Sequence, residues 1–347
     1  MIDKNYCMSS YVAFRYIEKN AVEFAQGMHH KTAKLPLPEN QIPISSVNDL
    51  DQALQKQFDQ LASEQHIGIL LSGGMDSACL ASYLPQGTDA YTFRFKDFAQ
   101  DELKRAEKFA EYNGLKLHYV DITWDDVMKS LPAIMAKKGA PVHSIEPQIY
   151  LAALQAKRNG ITKMVIGDAA DYVFYGMDGL LSQDWSFDAF VKRSIYIDPQ
   201  DVLAEPADVL YLYERYRNGD NIDFLGFYDK VITEESYSSY QNAFETAEMH
   251  FVDPYENLKM TEPVDLQRTR NGDSKYFVRQ LFLRRYPSIA LPEKAPMPRP
   301  VDEYFKNWQG PTRKEFKPNI DISKFNGNQK WLLFCLQEFL NIYFPQK

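Results

Sequence analysis

Three cysteines, Cys7, Cys79 and Cys335, are all that 347 residues contain, and no Cys-x-x-Cys pair occurs among them. Neither a zinc site nor a dithiol redox centre is indicated. Cys79, close behind a glycine-rich loop, reads as a packing residue. Long apolar runs are missing too. None approaches the ~18 residues of a membrane span, and Met1-Ile2-Asp3-Lys4-Asn5 does not begin as a signal peptide does; the expectation is a soluble, cytoplasmic protein with no membrane partner. Positive charge is in deficit, with 39 Lys and Arg against 47 Asp and Glu and a net charge of −8. A broad nucleic-acid surface needs a basic stripe, so this balance argues against nucleic acid as a partner. Two common phosphate-binding patterns are absent as well: Gly-x-x-x-x-Gly-Lys-Ser/Thr and Gly-x-Gly-x-x-Gly. No internal repeat or low-complexity tract is visible.

What is present suffices for a sizeable core: 45% hydrophobic and 14% aromatic residues. The length accommodates two domains, or one large α/β domain with a helical extension. Ile67 to Leu71 is a short apolar run of the kind found in buried parallel strands. Ser72-Gly73-Gly74-Met75-Asp76-Ser77 follows, and from about Asp76 the pattern turns helical. A strand, a glycine-rich turn and a helix start together collect an anion. Asp76 would repel phosphates unless a divalent cation bridges them, and Mg²⁺ commonly takes one or two carboxylates plus phosphate oxygens.

Along the chain, Tyr11 to Ile17 alternates as a strand would, and residues 18–48 are polar and rich in proline. Helical spacing marks Asp49–Leu61, Asp101–Asn113, Trp124–Lys137 and Gln148–Asn159. Between them Asp89–Phe95, Leu115–Ile122 and Thr162–Ile166 read as strands. Strands spaced by helices predict a doubly wound parallel α/β sheet with its ligand at the carboxyl ends of the strands. The last of these strands runs into Gly167-Asp168-Ala169-Ala170-Asp171, so two further carboxylates arrive at the same edge as the first loop. Asp168 could alternatively cap the next helix. Residues 208–250 are rich in Tyr and Phe, a pattern that suits helix packing better than a substrate pocket. Gln329–Tyr343 reads as an apolar helix docked in the core or serving as an interface.

The loop at 72–77 resembles the Ser-Gly-Gly-x-Asp-Ser loop of the ATP pyrophosphatase (PP-loop) superfamily. The succession from there through Tyr91-Thr-Phe-Arg-Phe95, Asp101-Glu102, His118-Tyr119 and Glu146-Pro147 to Gly167-Asp168-x-x-Asp171 resembles the synthetase domain of class B asparagine synthetases, the group that includes the β-lactam synthetases. Tyr172 stands where that family usually has a second Glu. The resemblance covers about residues 8 to 310 and divides the chain into 1–48, similar to the tail of a glutaminase domain, an ATP-pyrophosphatase core at 49–197, and a mostly helical substrate region at 198–347.

What the resemblance implies is an ATP-dependent ligase. Ser72, Gly73, Gly74 and Ser77 would hold pyrophosphate, Leu70 and Phe93 would lie against the adenine, and Gly167 would belong to the nucleotide site. Asp76 and Asp171 would bind Mg²⁺, and Asp168 would help deprotonate an amine nucleophile. Glu248 would orient a base or the substrate amine. Lys294, with Arg299 as a second candidate, would reach the α-phosphate from the proline-rich Leu291–Pro300 loop. The partners implied are a small-molecule carboxylate and an amine or ammonia. Because Ile2 stands where the family's glutaminase cysteine would follow Met1, ammonia would come from solution or a separate glutaminase subunit. A PP-loop tRNA-modifying enzyme and a non-catalytic nucleotide-binding subunit are the other readings.

Overall fold

The computed structural model describes residues 1–30, 32–61, 66–96, 98, 101–293 and 297–346. The elements that position the site are, in chain order, α1 (Lys4–Phe14), α2 (Val47–Leu61), β1 (Ile67–Leu70), α3 (Met75–Ala81), β2 (Asp89–Phe95), α4 (Asp101–Asn113), β3 (Lys116–Ile122), α5 (Trp124–Lys138), α6 (Glu146–Arg158), β4 (Lys163–Val165), α7 (Ala170–Val173), α8 (Thr233–Thr246), β5 (His250–Val252), α9 (Tyr276–Arg285) and α10 (Gly327–Tyr343).

The five strands form one parallel sheet in the order β3-β2-β1-β4-β5. Successive side chains on a strand point to opposite faces, and the two faces carry separate cores. Ile69 and Leu71 pack with α2, α3, α4 and α9 on one side. Leu70, Phe93 and Ile166 pack with α1, α5, α6, α8 and α10 on the other. The sheet is doubly wound, as the alternation of strands and helices predicts. The chain builds β1, β2 and β3 outward in one direction, then returns to place β4 on the far side of β1. Strand order therefore reverses between β1 and β4, which is where open α/β sheets bind ligands.

One expectation is corrected. Residues 11–17 are not a strand, since Lys4–Phe14 is a helix capped by Asp3, whose side chain accepts from Tyr6 N at 2.9 Å. Tyr6 through Phe14 are all buried, so α1 is apolar around its circumference and shows no amphipathic stripe. Residues 198–347 add to the same sheet and cores. β5 continues the sheet beside β4, and α9 packs on α2 and α3 through Val278, Leu281 and Phe282. The aromatic residues of 208–250 are largely core: Tyr213, Phe227, Tyr228, Tyr237 and Phe244 are each at most 1% exposed. The helix at the C-terminus is docked rather than free. Trp331 Nε1 donates to Val142 O at 2.9 Å, and Leu336 and Phe339 are fully buried.

A cleft at the switch point

A cleft of about 690 Å³ opens over the carboxyl ends of β1, β2 and β4. Its first wall is the loop leaving β1. Leu71 N still donates to Tyr91 O at 2.8 Å, and the chain then turns through Ser72–Ser77 into α3. The loop is held by its own hydroxyls: Ser77 Oγ accepts from Ser72 N at 3.1 Å and lies 3.0 Å from Ser72 Oγ, which in turn accepts from Gly74 N at 3.2 Å. Gly73 lies beneath the cleft against α4. A Cβ there would sit 2.5 Å from Glu102 O and 2.8 Å from Arg105 Cβ, so only glycine lets the loop approach that helix.

The second wall leaves β4. Asp171 closes a tight turn whose Gly176 N donates back to Asp171 O at 2.8 Å. A Cβ on Gly176 would fall 1.9 Å from Asp171 Oδ1, so the glycine makes the space the carboxylate occupies. Buried Asp253, just after β5, braces this turn: its carboxylate accepts from Ala169 N at 2.7 Å and from Tyr255 N at 3.0 Å. Burial raises Asp253 to about 7 against the pull of those amides. Asp168 lies between, near Ser236 Oγ at 3.4 Å and Tyr240. Burial, reinforced by Asp253 and Asp171, holds its carboxyl well above the usual range. Tyr172 packs into the core, edge-on to Tyr237 at 6.2 Å, and does not line the cleft.

Lys275 joins the two walls. Its Nζ donates to Asp76 Oδ2 at 2.6 Å and pairs with Asp171 Oδ1 at 2.9 Å, with only 6% of its side chain exposed. Burial opposes its charge, but the two carboxylates outweigh burial and raise its pKa. Lys275 adopts a left-handed conformation (φ 49°) immediately before α9. Sequence reasoning missed it because a single Lys in Gly272-Asp273-Ser274-Lys275 carries no pattern, and Asp76 lies 199 positions away.

The opposite end of the cleft is built from distant segments. Arg15, the residue that ends α1, pairs through Nε with Glu235 Oε1 and through Nη2 with Glu235 Oε2, both at 2.9 Å. It also reaches His143 Nε2 at 2.7 Å and Tyr196 OH, and it stacks 3.8 Å over the Tyr196 ring. Arg299 stands in this group rather than by the 72–77 loop, since the charges acting on it are those of Arg15, Glu235, Tyr196 and Tyr240.

Of the residues the sequence nominates, Leu70, Ser72, Gly74, Asp76, Ser77, Phe93, Gly167, Asp168 and Asp171 line the one cleft. Glu248 does not. It precedes β5, at the amino edge of the sheet, is 84% exposed and pairs with Lys157 at 3.0 Å. The loop analogy failed there because β5 begins after Glu248 and carries the chain to the ligand edge only at Asp253. Lys294 lies outside the described residues. Cys79 is buried, as a packing residue should be, and so are Cys7 and Cys335, whose thiols burial pushes up to about 12.

Residues 49–195 match the asparagine synthase family model. That segment is similar to asparagine synthases over less than half of the chain. It contains both cleft walls, from Ser72 through Asp171, while Lys275 and Arg15 come from outside it. No curated protein matches the chain. Among solved structures, it is similar to the U34-tRNA thiolase NcsA of Methanococcus maripaludis with its 4Fe–4S cluster, at 13% identity over 72% of this chain and 82% of that one, with a TM-score of 0.27. It is also similar to NMN synthetase from Francisella tularensis, at 15% identity over 73% of this chain and 100% of that one, with a TM-score of 0.28. Likenesses of that size carry no argument about chemistry. The match to the asparagine synthase model supports an ATP-using enzyme. No helix among the described residues is long and apolar enough to cross a membrane.

Proposed function

We propose that the chain is an ATP-dependent ligase that adenylates a substrate carboxylate and passes the acyl group to ammonia or another amine. The observation that carries this reading is the meeting of Asp76 and Asp171, from the ends of β1 and β4, on the single ammonium of Lys275 inside the cleft. In the proposed reaction a carboxylate oxygen attacks the α-phosphorus, and the bond to the bridging oxygen breaks so that pyrophosphate leaves with its electron pair. The amine then attacks the acyl carbon, AMP departs, and the amine gives up a proton.

Each residue's part follows from its surroundings. Ser72, Gly74 and Ser77 would exchange the bonds they make to one another for bonds from their hydroxyls and amides to the pyrophosphate half. Leu70 and Phe93 offer an apolar floor for the adenine. Lys275 fixes the spacing of the two carboxylates, so the loops arrive preorganised and positioning supplies much of the rate. Asp168, with its raised pKa, is a stronger base than an ordinary carboxylate and is assigned the amine proton. Lys294 remains the candidate for the α-phosphate.

Among the described residues no group of three or more His, Cys, Asp or Glu is placed to hold a metal ion on its own. Two hard carboxylates on one rim do fit Mg²⁺ arriving with a nucleotide, because that ion completes its shell with phosphate oxygens and water. Asp76 and Asp171 would hold it, and bound there it would offset charge on the departing pyrophosphate.

The test is exchange of labelled pyrophosphate into ATP across a panel of carboxylic acids. Exchange that depends on an acid and disappears in Asp76→Ala supports the ligase. Full exchange in that variant refutes the assignment.

A further inference from the structure

We infer that the end of the cleft remote from the Ser72–Ser77 loop is an oxyanion subsite, in which Arg299 binds a carboxylate or phosphate group that the substrate acid carries away from its activated carboxyl. The inference rests on the ligase reading above, and it names the class of acid that ligase would take.

The charges at this end do not balance. Lys138 is answered by Glu146, and Arg15 is answered twice over by Glu235. Arg299 faces the same cavity and forms no hydrogen bond or ion pair among the described residues. The acid acting on it is Glu235, already committed to Arg15. Burial first, then the proximity of Arg15, lowers Arg299 to about 10, as a partly buried cation without a matched acid experiences. It stays charged at neutral pH, and a guanidinium in that position is matched by a group that accepts two parallel N–H bonds.

The surroundings are those of a polar subsite rather than a gap in packing. Asn328, in the first turn of α10, lines the cavity, and its Nδ2 has no acceptor among the described residues. Gln329 donates to Tyr196 O at 2.6 Å, fixing the wall on which Arg15 stacks. Arg15, Tyr196, Glu235, Arg299 and Asn328 all lie outside residues 49–195. Most of this recognition end therefore comes from outside the matched segment, with His143 contributed from within it.

The experiment is an equilibrium titration of the full chain saturated with Mg²⁺ and a non-hydrolysable ATP analogue, with malonate in one arm, inorganic phosphate in a second and acetate as the single-charge comparison. Wild-type protein should bind malonate or phosphate at least ten-fold more tightly than acetate, and the stronger arm identifies the oxyanion. Arg299→Gln should lose at least ten-fold in that affinity, Arg299→Lys should retain part of it, and binding of the ATP analogue should change less than two-fold in both. Melting temperature should be unchanged or higher in Arg299→Gln, whereas an arginine serving only structure would lower it. Equal anion binding by wild type and Arg299→Gln, no anion binding by wild type, or loss of analogue affinity in place of anion affinity each overturns the subsite. Failure of the analogue to bind wild type, or unchanged analogue binding in Asp76→Ala, overturns the ligase reading instead.

Discussion

The site turns on a few carboxylates whose protonation is set by burial. Asp168 and Asp76 are separable by experiment, because adenylation precedes attack by the amine. Asp168→Asn should leave acid-dependent pyrophosphate exchange within a few-fold of wild type, yet slow amide formation by about 100-fold, in the range of general-base effects. Product analysis beside exchange reads both. Asp253 offers a titration test. Burial raises it to about 7, so between the ordinary carboxylate range and pH 7 the folded chain holds a proton that the unfolded chain releases. Stability from this group is complete below about pH 4 and is lost as pH rises through 7. In urea melts the wild-type stability should therefore fall over that interval by roughly 2–4 kcal/mol relative to Asp253→Asn. A difference that is flat with pH refutes the protonated state.

Elements matter through what they hold in place. The α7 turn works because Gly176 vacates the position of the Asp171 carboxylate, 1.9 Å from where a Cβ would sit. Gly176→Ala should displace Asp171 and cut exchange about 100-fold, since a misplacement near 1 Å costs that much, while the melting temperature drops by a few degrees. An activity loss no larger than the loss of folded protein would contradict this. α10 is anchored by Trp331, 2% exposed and bonded to Val142 O. Trp331→Ala should cost about 3–5 kcal/mol, read as a lower denaturant midpoint at unchanged m-value.

For the whole molecule, the sheet takes β1 to β4 from one side of residue 198 and β5 from the other. α9 covers the opposite face and delivers Lys275 to the cleft. Residues 49–197 produced alone would expose the β4 edge and the apolar surface beneath α9. The expected result is an aggregating or poorly structured fragment, seen as lost near-ultraviolet circular dichroism and amide protection. A fragment that melts cooperatively would show that the core stands without its C-terminal half.

Local rules determined much of this protein. Short apolar runs alternating with helical spacing specify a doubly wound sheet, and the Ser-Gly-Gly-Met-Asp-Ser loop and Gly167-Asp168-x-x-Asp171 each announce a strand end carrying polar groups. Both signals live within a few consecutive residues, where backbone geometry and side-chain chemistry are set together. Lys275, the Arg15–Glu235 pair and the placement of Arg299 beside that pair came only from tertiary structure. Each is an isolated charged residue whose meaning lies in partners far along the chain, and burial changes what its charge demands. The same distance explains α1 and Glu248. A helix buried on every side shows no stripe, and an acid two residues before a strand falls on the wrong edge of the sheet once that strand's direction is known.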